Sequence, residues 1–448
     1  MSKLLCGAGR AEVAFTDAMF PTIGENYVGV HDRPLVQAVL LQGASGFALL
    51  SVGIVIMDCK NELLAVAENE LGIPGDHILL HATHTLATPH IRRWANVRDW
   101  EEDPMHKRMS VSEGEAMLYM QRDNLMVQAY EDAVREACRL AKQTLQPAKM
   151  GFSEAKAAVT VNRVVETQNG WWQGVNQDGP AEHRVPVLRF ESEKGEPIAI
   201  LYNCNVAPGC MEFSEVNGGR LVSGDLAAAS ERFVDAAYSD EVVSAYLTGF
   251  TGDQWQALRA RKDYLTRDGK QVVEDLGMAG FALMDVLATR LGEQVVKAAD
   301  SIQSFDSKIE PKLDWFEFTY TGQKTSCGFG GGEPTKKCEY YEDGEQKAEI
   351  AILQLGETAV VACGVELCYE TAEKIRQESP FKHTLILEFT TNGGGYLPEA
   401  VFYDRVSFQS RKSRYIKGTA ERFAEDVLHS LREAKKKYVS KEDSLSRE

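Results

Sequence analysis

The chain has 448 residues, 44% of them hydrophobic and 9% aromatic, and a formal net charge of −17 at pH 7. That apolar content excludes a disordered chain and suffices for a large buried core. The acidity excludes a nucleic-acid partner and disfavours docking on an anionic membrane, because both need a basic surface.

No apolar run reaches the length of a bilayer-spanning helix. The opening Met1 to Arg10 is interrupted by Gly7, Gly9 and Arg10 too soon for an export signal. The expectation is therefore a cytoplasmic protein with reduced thiols. Its partner is a small molecule, with no nucleic acid and no membrane, and homo-oligomer formation is left open.

Two apolar runs within 36–56, joined by Gly43-Ala-Ser-Gly46, predict a strand–turn–strand unit. A helix over Asn61–Leu71 is closed by Gly72 and Pro74. The run Ile78-Leu79-Leu80 predicts a buried strand that opens into a histidine-rich loop, and an amphipathic helix follows from about Glu115 to Thr144. Strands are expected at 148–154, 158–163, 186–190 and 197–203, with a Gly/Asn/Gln/Trp-rich loop over 167–181. A helix at 225–237 leads to a strand at 242–248, and another helix covers 278–300. Strands at 313–320, 348–354, 358–363 and 384–390 and a helix Thr419–Lys437 complete the pattern. Alternating strands and helices without a fixed repeat give an α/β class, read as one domain over 1–438 with a flexible tail over 439–448.

Several residues carry candidate chemistry. His81, His84 and His90 cluster where a strand gives way to a loop, as transition-metal ligands do. Without a metal, His84 is a candidate general base and His81 a hydrogen-bonding wall residue. Arg92 and Arg93 could grip a carboxylate or phosphate, or pair with Asp99, Glu101 and Glu102. Trp171 and Trp172 could form a platform for a sugar face or acyl chain, or pack structurally. His31 and Asp32 suggest a relay, but adjacent residues in an extended chain point to opposite faces, so a structural loop is expected there. Cys204 could act as a nucleophile only with a base and a depressed pKa. The stretch Gly328-Phe-Gly-Gly-Gly332 lacks the Lys-Ser/Thr ending of a phosphate loop, so it reads as a surface loop.

A series of segments carries a resemblance: Gly7-Ala-Gly-Arg-Ala-Glu-Val13, Ala82-Thr-His-Thr-Leu-Ala-Thr-Pro89, Val161-Asn-Arg163, Val187-Leu-Arg-Phe190 and Gly195 to Asn203. Ser223-Gly-Asp225, Thr248 to Asp253, Gly364-Val-Glu-Leu367 and Gly395-Tyr-Leu-Pro398 follow in order. Together they resemble the catalytic domain of the neutral ceramidases, zinc amidases that release fatty acid from a sphingoid base. The resemblance implies mixed β-sheets flanked by helices, without the C-terminal immunoglobulin-like domain of many members. It places His84 and Glu366 at two zinc-ligand positions and Arg163 against the substrate's polar group. Leu86, Ala207 and Phe408 stand where other ligands are expected, and none of them has a lone pair to donate.

A rebuilt metal set would be His84, His90 and Glu366, with Asp225 or Cys204 as further donors. Asp225 and Asp253 are otherwise pocket or supporting residues, and Trp255 fills space near the catalytic position. The leading expectation is a divergent hydrolase of an amide or related bond in a small polar or anionic substrate. A metal-independent isomerase or lyase of a sugar-acid-like metabolite and a non-catalytic binding protein are the alternatives.

Overall fold

The computed structural model describes residues 3–96, 111–327, 333–390 and 394–445. Asp99, Glu101, Glu102 and the glycine-rich stretch 328–332 lie outside the described residues.

Two sheets face each other and carry helices on their outer faces. Among the described residues, the larger sheet has nine strands. Its order runs Val243–Thr248, Pro197–Cys204, Arg184–Ser192, Gln146–Lys156, Leu5–Glu12, Leu35–Gln42, Gly46–Val52, Ile78–Ala82, with Phe305–Asp306 beside Gln146–Lys156. The smaller sheet orders Lys312–Thr325, Tyr340–Leu355, Thr358–Cys363 and His383–Leu387.

The strands alternate as the pleat requires. Val36, Ala38 and Leu40 join one core with the helices Lys60–Leu71 and Glu113–Gln143. Val39 and Leu41 face the other way and meet Leu353, Val360 and Leu385 of the second sheet. The helices Asp225–Ala237 and Gly280–Asp300 cover the far half of the larger sheet. Tyr369–Glu378 and Thr419–Leu445 cover the outer face of the smaller one. Both faces of most strands are therefore buried, which is why they read as continuous apolar runs rather than alternations. Gly7 and Gly9 let the first strand lie directly on Glu113–Gln143, where a Cβ at either position would strike the carbonyls of Ala141 or Ala137.

Four expectations are corrected. The span 167–181 is only partly loop: Gly170–Asn176 is a strand paired with Thr160–Thr167 through a tight turn at 168–169, and irregular chain follows over 177–181. Its polar composition hides the cross-strand pairing of Trp172 with Val165. The closing helix continues to Leu445, past the Lys437 end expected from its apolar stripe. Cys327 and Cys338, with Cα atoms 5.6 Å apart, form a disulfide, against the expectation of reduced thiols throughout. The chain bends at His31–Asp32 instead of staying extended, so His31 Nδ1 reaches Asp32 at 2.8 Å, and the pair braces Ser223 and Gly224 rather than any cavity.

Among the described residues, no helix is long and apolar enough to cross a membrane.

Candidate active site

Three parallel strand pairs end on the same side of the molecule: Gly46–Val52 with Ile78–Ala82, Pro197–Cys204 with Val243–Thr248, and Thr358–Cys363 with His383–Leu387. The segments leaving their carboxyl ends carry His84, Ala207, Thr251, Glu366 and Glu388. Such ends are where α/β folds gather ligand-binding groups.

The loop after Ala82 is laced to its neighbour strand. Thr83 and Thr85 N–H donate to Val52 and Ile54, and Val55 N–H donates to Thr88 Oγ1 at 2.8 Å. This lacing holds His84 at φ +55°, a conformation costly for a residue with a Cβ. Phe389, also at positive φ (+56°), stacks on the imidazole at 3.9 Å. The Val55 carbonyl lies 2.5 Å from His84 Nδ1 and can only accept, so Nδ1 carries the proton and Nε2 is the free base. Burial pushes the His84 pKa down to about 4, which keeps the ring neutral at pH 7.

Glu366 sits in the short strand Val365–Leu367, opposite Tyr396 of Gly395–Leu397. Burial pushes its carboxyl up to about 7, against the opposing pull of Arg163 and the hydroxyls of Thr251 and Tyr396. The Arg163 guanidinium lies 3.9 Å from Glu366 and donates to Tyr396 Oη at 3.0 Å and to the Gly252 carbonyl at 3.0 Å. Behind Glu366, Glu388 is fully buried. Its two oxygens accept from Leu367 N–H at 2.5 Å and from Thr251 N–H and Oγ1–H at 3.1 and 2.9 Å. Burial and the neighbouring Glu366 raise its pKa.

His84, Glu366 and Arg163 line one cavity of about 530 Å³. Leu86, Ala207 and Phe408 line the same cavity, so those three apolar positions converge on the acid–base pair although they are far apart in sequence. Trp172 and Trp255 are also in its wall, Trp172 edge-on to Phe408 at 4.9 Å and Trp255 beneath Arg259 at 3.7 Å.

Other candidates lie elsewhere. Trp171 points to the opposite face of its strand and packs with Val164, Cys368 and Phe402 under Arg405. His90 is turned outward onto Glu25, 2.7 Å from Nδ1, so the metal set His84, His90 and Glu366 is not assembled. Arg92 pairs with Asp58 and Arg93 with Glu131, and neither lines the cavity. Asp225 is buried and accepts from the N–H groups of Cys210, Met211 and Leu226, bracing the segment that follows Ala207. Asp253 likewise lies behind the wall, bound by Gln254, Tyr369 and Asn162, and burial pushes its pKa up to about 7. Cys204 is buried and its thiol is pushed up to about 12, which removes it as a nucleophile or thiolate ligand. His81 is fully buried, with Nδ1 donating to the Glu388 carbonyl and Nε2 accepting from Thr248 N–H. Among the described residues, no three His, Cys, Asp or Glu side chains come together as a metal set.

Sequence reading missed Glu388, Thr251 and Tyr396. The signal for Glu388 is an acid closing the apolar run Leu385-Ile386-Leu387. Tyr396 lies inside a motif already singled out.

Similar architecture occurs in solved structures. The crystal structure of neutral ceramidase from Pseudomonas aeruginosa superposes with a TM-score of 0.69 over 96% of this chain and 74% of that one, at 13% identity. The fold is neutral-ceramidase-like. A ceramidase complexed with C2 gives a TM-score of 0.68 with the same coverage and identity. No protein-family model matches the sequence, and no curated protein does. At this identity the ceramidase likeness establishes the scaffold, and the chemistry must be argued from the side chains.

Proposed function

We propose that this ceramidase-like chain is a metal-independent acid–base hydrolase of an amide or related bond in a small, polar, anionic substrate. The observation that carries this reading is the cavity shared by a neutral His84, a carboxyl at Glu366 titrating near neutrality, and the Arg163 cation.

Zinc does not fit the residues present. A catalytic zinc takes about three protein ligands. Here His84 and Glu366 are the donors, while Leu86, Ala207 and Phe408 offer hydrocarbon to the same space. Tyr396 adds no phenolate, since burial raises its pKa and its hydroxyl is taken up by Arg163.

The residues support a sequence of proton movements. Ionised Glu366 takes a proton from water, whose oxygen attacks the carbonyl carbon. Arg163, fixed by three acceptors, stabilises the negative charge that develops on the carbonyl oxygen. His84 Nε2 accepts a hydrogen bond from the scissile N–H and orients it. Protonated Glu366 then delivers its proton to the leaving nitrogen. The same acid–base pair suits isomerisation or elimination, a second reading that, like the first, needs no nucleophilic side chain.

A panel of N-acyl amino acids and sugar acids, incubated in ¹⁸O-water, tests both readings. Hydrolysis places ¹⁸O in the released carboxylate, whereas isomerisation in deuterated water places deuterium on carbon. In either case turnover should rise with pH through about 7 as Glu366 ionises, and Glu366→Gln should abolish it. Full turnover in Glu366→Gln would overturn the assignment.

A further inference from the structure

Cys327 and Cys338 form the one disulfide among the described residues, and the seven other cysteines are buried and free. The bond lies just beyond the hairpin that joins Lys312–Thr325 to Tyr340–Leu355. Before it come the pair of Thr325 with Tyr340 and a 2.9 Å bond from Ser326 N–H to the Glu339 carbonyl. That hairpin has anchors of its own: Gln323 Nε2 donates to the Ser410 carbonyl at 2.9 Å, and Tyr340 Oη lies 2.8 Å from Ser410 Oγ. The hairpin is therefore held without the disulfide, and what the disulfide constrains is the arm 333–337 that leads into Cys338.

This arm reaches the cavity of His84 and Glu366. Glu333 stands in the cavity wall, and its carbonyl accepts from Arg411 at 3.1 Å. Arg411 in turn lies over Trp172 at 4.5 Å, and Trp172 belongs to the same wall. Two residues on, the Thr335 carbonyl lies so close to Gly170 that a Cβ there would sit 2.6 Å from it. Gly170 opens the strand that carries Trp172. The arm thus makes two contacts, and both bear on the same aromatic side of the cavity.

We propose that the Cys327–Cys338 bond is a redox control on this cavity. Closed, it holds the arm against Arg411 and Gly170 and keeps Trp172 in place. Reduced, it releases the arm, the Trp172 wall loosens, and substrate binding weakens. The effect on binding rests on the reading above that this cavity is the active one. A dithiol reductant supplies the chemistry. Its first thiolate attacks one protein sulfur, the S–S bond breaks to a mixed disulfide, and its second thiolate displaces that sulfur. Two electrons and two protons pass to the protein, leaving two protein thiols and the reductant as a cyclic disulfide. Cys327 and Cys338 are half-buried, so a small dithiol can reach them, whereas burial shields the other seven cysteines.

The test compares native protein before and after treatment with dithiothreitol. Alkylation with iodoacetamide followed by mass measurement should find two adducts after reduction, on Cys327 and Cys338, and none before. In parallel, Trp172 emission is isolated by subtracting the spectrum of Trp172→Phe. Reduction should shift that emission to the red and cost the ring its protection from acrylamide quenching. The double variant Cys327→Ser, Cys338→Ser should show the reduced spectrum from the start and no response to dithiothreitol. Adducts on both cysteines without prior reduction, or a Trp172 signal identical in the two states, would overturn the control. Neither readout needs a substrate, so a failure of the hydrolase reading shows up separately, as turnover absent in both redox states.

Discussion

His81 and His84 lie three residues apart and do different work. His81 commits both ring nitrogens to backbone groups, donating to Glu388 and accepting from Thr248. Its replacement leaves a buried carbonyl and a buried N–H without partners, each costing about 1–3 kcal/mol. His81→Ala should therefore lower the urea midpoint by an amount corresponding to about 2–6 kcal/mol, and an unchanged midpoint would contradict the assignment. His84 commits only Nδ1, and the remaining nitrogen is available for chemistry. The sequence made His84 and Glu366 legible because both fall inside recognisable motifs. It could not reveal that burial holds one neutral and brings the other near pH 7, because that depends on Phe389 stacked over His84 and on Arg163, Thr251 and Tyr396 around Glu366, which come from distant segments.

At the scale of the element, the Gly170–Asn176 strand divides two adjacent tryptophans between two tasks. Pleating turns Trp172 into the cavity against Phe408 and Trp171 away from it onto Val164 and Phe402. Trp172→Ala should raise KM several-fold with little change in thermal midpoint. Trp171→Ala should leave KM alone and lower stability by about 1.5–3 kcal/mol, the loss of a packed apolar side chain. Equal effects of both changes on KM would contradict the split. The tryptophan pair was legible in the sequence, but its division was not, because 167–181 reads as loop until the pairing with Thr160–Thr167 is known. The sequence left Arg92 and Arg93 open to an anion or to ion pairs with nearby acids, and the structure pairs them with Asp58 and Glu131, which come from other segments.

Over the whole molecule, buried titratable groups shape stability in two directions. Burial pushes Asp123, Glu231, Asp253 and Glu366 each up to about 7. Unfolded carboxyls titrate near 4, so the stability these groups contribute is complete below that and is lost as pH rises through about 7. His81 and His84, lowered to about 3 and 4, contribute stability that is present above about 6.5 and is lost as pH falls through their folded values. Urea denaturation should therefore show stability declining between about pH 4 and 7, where the four carboxyls outweigh the opposing rise from the two histidines, and levelling off above about 7, with Asp253→Asn flattening the decline. A steady rise from about pH 4 to 7 would contradict this balance. The alternation of strands and helices was legible from apolar runs, since most strands are buried on both faces. The layering of two sheets was not, because it depends on which alternate residues meet Leu353 and Leu385. Convergence of Leu86, Ala207 and Phe408 on His84 and Glu366 is likewise a property of the folded chain, and it carries the claim that the cavity works without zinc. The most direct test is metal analysis of the untagged protein together with turnover in the presence of a strong chelator. Far less than one zinc per chain and turnover unaffected by chelation are expected; one zinc per chain, with activity lost on chelation and restored by zinc, would contradict a metal-independent site.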